Sequence, residues 1–155
     1  AIPQRESFAA TETRRLCDRR VSYNVKPPTA EVPARLSMLS GVWKGSVRFA
    51  GGGEMCVSMV VKEVFPDGKV VLLMTWNVSM GGREDINNVV GLGEALDWHN
   101  KVENGELRID SGTRYRGTRY YYVMKVPDDA TPDVMRGVWM TDNHPQPVVL
   151  YRDKR

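Results

Sequence analysis

From residue 41 onward, apolar and polar positions alternate in short runs divided by turn-forming residues. Val57, Met59 and Val61 share one side of a two-residue repeat, while Ser58, Val60 and Lys62 share the other. In 119–126, Tyr120, Tyr122, Met124 and Val126 alternate with Arg119, Tyr121, Val123 and Lys125. A period of two predicts strands whose faces meet different environments. Eight strands are predicted: 41–49, 55–64, 68–77, 88–95, 104–110, 118–126, 134–140 and 147–152. The breaks between them carry turn chemistry, with Pro66-Asp67-Gly68 the clearest hairpin connection. Short strands with no helical pattern between them predict a sandwich or barrel. Eight up-and-down strands close on themselves and remove exposed edges. The expected fold class is therefore all-β, an eight-stranded antiparallel up-and-down β-barrel. The stretch 96–103 has no clear period and reads as a loop.

The N-terminal region has a different texture. Residues 7–20 read as a short helix: Ser7 is a capping residue, Phe8, Thr11, Arg15 and Leu16 fall near helical spacing, and neither Gly nor Pro interrupts. Pro27, Pro28 and Pro33 then fix φ and remove backbone donors, predicting an extended connector over 24–36. The expected division is 1–37 as helix plus Pro-rich arm, and 38–155 as the barrel domain.

The opening of the first barrel strand, Ser40-Gly41-Val42-Trp43-Lys44-Gly45, resembles the Gly-x-Trp strand of the lipocalins and their calycin relatives. It is also similar to the Ser-Gly-x-Trp opening of avidin-like barrels, although the biotin-binding constellation of the latter has no counterpart here. The lipocalin resemblance implies an up-and-down barrel in which Trp43 plugs one end. It also implies a basic residue near the last strand, packed over that indole, and Arg152 occupies the corresponding position. Such a contact contributes about 0.5–2 kcal/mol.

At 155 residues the chain has the length of one domain and can bury roughly two-thirds of its unfolded surface. An apolar content of 41% and a charged content of 26% argue against wholesale disorder. No apolar run is long enough to span a membrane as a helix. The start Ala-Ile-Pro-Gln resembles a chain after signal-peptide removal, so a secreted or periplasmic location is expected, although a chain trimmed for other reasons begins the same way. The net charge of +3 resides in the arm, where residues 1–35 hold seven Lys/Arg against four Asp/Glu. A basic arm suits acidic lipid, polysaccharide or nucleic acid, but also a simply solvated face, and the balanced body argues against a nucleic-acid partner. Cys17 and Cys56 fit neither a zinc motif nor a Cys-x-x-Cys pair. A disulfide between them is expected, with two buried thiols as the alternative in a reducing compartment.

The densest chemical signal is the cluster Arg114, Tyr115 and Arg116 with Arg119, Tyr120, Tyr121 and Tyr122. Planar guanidinium donors and amphipathic rings together suit carboxylates, sugars or phosphates. The plainer alternative is good strand residues with solvated arginines. An apolar set including Val57, Met59, Val61, Leu72, Met74, Trp76, Met124 and Trp139 is suited to line a cavity or to fill one. Glu94, Asp97 and His99 lie close together beside Trp98 as a conceivable acid–base or metal group. The paucity of histidine speaks against metal, and solubilising loop carboxylates are the simpler account. Asn77-Val78-Ser79 fits the glycosylation pattern, a triplet common by chance. No nucleophile elbow, P-loop or dinucleotide fingerprint occurs, so no cofactor is implied.

The expected function is a non-enzymatic protein binding a small apolar or amphiphilic molecule through Met59, Met74, Trp76, Tyr120 and Tyr122, with Arg116 and Arg119 near the rim. The alternative is a protein or envelope-polymer interaction module using the Arg/Tyr surface and the basic arm.

Overall fold

The computed structural model describes residues 11–17, 19–49, 53–79, 86–92, 100–115, 117–142 and 144–154. A hairpin of β1 (Glu12–Leu16) and β2 (Arg19–Tyr23) comes first, and an extended connector leads to one helical turn, α1 (Ala34–Ser37). The remaining elements are all strands: β3 (Gly41–Arg48), β4 (Glu54–Val64), β5 (Val70–Ser79), β6 (Ile86–Leu92), β7 (Lys101–Glu103), β8 (Glu106–Tyr115), β9 (Thr118–Lys125), β10 (Val134–Thr141) and β11 (His144–Arg152). They form one antiparallel sheet in the order β6-β5-β4-β3-β11-β10-β9-β8-β7. The eight longer strands make a nearly closed barrel, an arrangement consistent with the lipocalin type, and the first and last barrel strands pair with each other.

The short β7, inside the 96–103 stretch expected as loop, sits at the seam. It pairs with β8 on one side and bridges Lys101 to Lys69 on the other. The Val70 N–H donates to the Asn100 carbonyl at 3.2 Å and the Val102 N–H to the Gly68 carbonyl at 2.8 Å. Higher up, no ladder joins β6 to β8 among the described residues. Among the described residues the seam is thus closed by pairing at one end of the barrel only.

That end is also where the plug lies. Trp43 is fully buried, and its indole N–H donates to the Leu39 carbonyl at 2.9 Å. The β3–β11 register sets Arg152 directly opposite, and its guanidinium lies 4.4 Å from the centre of the indole. The same guanidinium donates to Ser40 O at 2.9 Å, to Met38 O, and to Asp133 Oδ1 at 3.0 Å. Lys154 first, and then Arg152, hold the Asp133 carboxyl below the usual carboxylate range. Both glycines of the motif have steric causes. Gly41 has φ +113°, a conformation a side chain disfavours, and a Cβ at Gly45 would fall 1.8 Å from the Val149 carbonyl oxygen of the adjoining strand.

The N-terminal segment departs from expectation. Residues 12–16 and 19–20, placed in a helix by their spacing, belong instead to the two strands of a hairpin that runs on to Tyr23; residues 7–10 lie outside the described residues. The reason is tertiary. Leu16, Val21 and Tyr23 bury one hairpin face against Val42 and Val60, which project outward from the barrel. A helix would turn some of these apolar residues away from that wall, whereas a two-residue period directs them onto it. Cys17, at the hairpin turn, is bonded to Cys56 of β4, 39 positions along the chain. Arg14 reaches Asp153 at 2.5 Å, and the Lys26 N–H donates to the Lys62 carbonyl at 2.8 Å.

Two outcomes are expected. Arg152→Ala should lower unfolding free energy by about 3 kcal/mol, because a cation–π contact and charge-assisted hydrogen bonds vanish together. Arg152→Lys should recover only part of this in urea denaturation, and full recovery by Lys would contradict the role given to the planar guanidinium. Cys17→Ser should remove a constraint worth about 3–4 kcal/mol in the chain-entropy account. Hydrogen exchange should show faster exchange across β1 and β2 while β3 and β4 stay protected. Uniform loss across the barrel would contradict a hairpin that is an outer cover.

Candidate functional site

Strand alternation sends Val57, Met59 and Val61 of β4, Leu72, Met74 and Trp76 of β5, and Tyr120, Tyr122 and Met124 of β9 into the barrel. Register then stacks them in levels. Met59 lies opposite Met74, and Val57 opposite Trp76. Tyr122 lies opposite Trp139 on one side and Ile109 on the other.

Toward the plug the interior is solid. Met59, Met74, Met124, Leu107, Met135 and Leu150 are each at most 1% exposed. Toward the opposite end the inward residues become larger, more aromatic and only partly buried. Phe49, Trp76, Tyr122 and Trp139 pack against the core without being enclosed by it, and Tyr120 is 36% exposed. Trp139 organises this set. Tyr120 stacks on it with ring centres 5.4 Å apart, Phe49 meets it edge-on at 5.8 Å, and Tyr122 lies tilted at 6.4 Å. Burial pushes the Tyr122 phenol well above its ordinary value. A ring set of this kind offers apolar aromatic surface with the Tyr120 hydroxyl at its edge, above a floor of methionine and aliphatic side chains.

Of the residues singled out in the sequence, Met59 and Met74 form the floor, and Trp76, Tyr120 and Tyr122 the wall. Arg119 is elsewhere. It lies on the outer face, where its guanidinium meets Asp110 Oδ2 at 2.5 Å and sits 5.2 Å from the Tyr121 ring centre. Arg108 covers the same ring at 4.6 Å and approaches Asp110 at 3.5 Å. Arg116, Glu94, Asp97, Trp98 and His99 lie outside the described residues.

Sequence reasoning passed over two residues. Phe49 continues the inward series Trp43, Gly45, Val47, and that alternation was available to find it. Asp110 is a carboxylate only 3% exposed. It sits on a strand among polar residues, and nothing local distinguishes it from a solvated acid. Its burial follows from Arg108, Arg119 and the Asn100 side chain, whose Oδ1 accepts the Asp110 N–H at 3.3 Å.

No family model matches the chain, and no curated protein matches it. Among solved structures it is similar to a de novo designed fluorescence-activating β-barrel. The identity is 12% and the TM-score 0.49, over 79% of this chain and 100% of that one.

The raised phenol pKa has a signed consequence. The folded state retains the Tyr122 proton where an unfolded chain, with its phenol near 10.0, releases it. This contribution to stability is complete below that value and is lost as pH rises above it. Urea midpoints at about pH 9 and about pH 11 should therefore differ less in Tyr122→Phe than in the parent. Equal alkaline losses in both proteins would show that Tyr122 does not carry the effect.

Proposed function

We propose that this is a non-enzymatic binding protein of the lipocalin-like, calycin type, holding a small apolar or amphiphilic molecule at the open end of its barrel. The observation that carries the reading is the gradient along the barrel interior. The plugged end is packed without exposure, while the other presents half-buried rings of Phe49, Trp76, Tyr120, Tyr122 and Trp139 facing inward. Burying large aromatics only partly forgoes hydrophobic stabilisation of about 25 cal/mol per Å² of apolar surface, which a ligand would supply. The methionine floor adapts to an irregular apolar body, and the Tyr120 hydroxyl suits a polar head.

A secreted or periplasmic setting accords with the Cys17–Cys56 disulfide. No helix among the described residues is long and apolar enough to cross a membrane. The competing interaction-module reading loses support because two of its cations are engaged: Arg119 by Asp110 and Tyr121, and Arg14 by Asp153.

Titration with decanoate and with decanol, followed by intrinsic tryptophan fluorescence, tests the proposal. Saturable binding of at least one probe is expected, weakened about tenfold or more by Trp139→Ala. Absence of saturable binding by both, or equal binding by the variant, would sink it.

A further inference from the structure

A second site, outside the barrel, lies over the seam. A cleft of about 530 Å³ opens where β7 crosses between the start of β5 and the start of β8. Val71 and Val123, both half-buried, contribute apolar surface to it. Phe65, in the β4–β5 turn, stands beside them with 37% of its surface exposed. Such exposure is uncommon for a phenylalanine, and its ring gives the cleft a flat apolar face.

Apart from Val70 the remaining lining is polar and supplies both donors and acceptors, including Asn104, Glu106 and Lys101. Its positive charge is already answered. Lys69 faces Asp67 at 3.7 Å, Lys101 faces Glu103 at 3.5 Å, and Arg108 faces Asp110 at 3.5 Å. A polyanion would therefore have to displace internal partners, and a wholly apolar ligand would strand the carboxylates and amides.

Asn100 forms the back of the cleft. It is 3% exposed, and its Oδ1 accepts the Asp110 N–H, which fixes the orientation of the amide. Its Nδ2 then has no acceptor. A buried amide donor left unpaired is costly, and this one, sealed from the cleft, calls for an internal water behind the lining.

We infer that the seam cleft is a carbohydrate site, with the C–H face of a neutral pyranose against Phe65 and its hydroxyls bonded by Lys101, Asn104 and Glu106. Sugar hydroxyls both donate and accept, matching the mixed lining. The alternating axial C–H bonds of a pyranose form the flat apolar patch that an exposed aromatic ring complements. The site is independent of the barrel mouth, and its occupant is chemically distinct from the one proposed there.

The test is a titration of isotope-labelled full-length protein with cellotriose, chitotriose and maltotriose, followed by backbone amide shifts. At least one sugar should move amides in 65–71 and 100–108 while leaving the Trp139 indole unmoved. Phe65→Ala and Glu106→Gln should each weaken that sugar about tenfold. Phe65 is exposed and Glu106 lies at the surface, so unchanged barrel amides in either variant establish its folding. Failure of all three sugars to shift those amides would overturn the assignment. So would shifts confined to the barrel mouth, or affinity unchanged in both variants.

Discussion

The contact between Arg152 and Trp43 is the constraint on which the rest of the molecule depends. It joins the first barrel strand to the last across the β3–β11 ladder, at the centre of the sheet. The guanidinium does more than cover an indole. Its hydrogen bonds to Met38 O and Ser40 O tie down the exit from α1, and its contact with Asp133 ties down the approach to β10. Because an arginine cannot shed its charge, it stays at this end only while these acceptors surround it. One side chain thereby couples the plug, the β3–β11 ladder and the loops beneath the barrel.

The N-terminal hairpin follows from a surplus of apolar surface that closure leaves behind. Barrel strands ordinarily bury one face. Along β4, however, Val57, Met59 and Val61 are buried inside, while Ser58 and Val60 are buried outside. The outer patch is what Leu16, Val21 and Tyr23 cover. The disulfide then holds a two-stranded unit that would be marginal alone. The hairpin therefore covers the barrel wall from outside, beside β3 and β4.

The two proposed sites arise from the two places where barrel geometry is incomplete. At the mouth, inward alternation continues past the level at which side chains enclose one another, and the aromatic residues there cannot all be buried. At the seam, β7 reaches both neighbours over only three residues, and the crossing leaves a cleft lined by turn residues. The first favours apolar bodies because strand alternation directs apolar residues inward. The second favours hydroxyl-rich ones because it is built from outward-facing and turn positions.

Much of the barrel was legible in the chain itself. Alternation within β4 and β9, turn residues such as Pro66-Asp67-Gly68, and the Gly41–Gly45 motif with Arg152 are local patterns, and they determined the strands, the antiparallel class and the plug. The inward placement of Met59, Met74, Trp76, Tyr120 and Tyr122 follows from the same parity. Other features belong to tertiary structure alone. The segment 12–23 carries few apolar residues, compatible with either period, and only the outer wall at Val42 and Val60 selects a hairpin. The burial of Asp110 and the unpaired amide of Asn100 depend on strands far apart in sequence. So does the difference between a solid floor and a half-buried aromatic wall, because parity says which way a side chain points, and only packing across the barrel decides how much of it is enclosed.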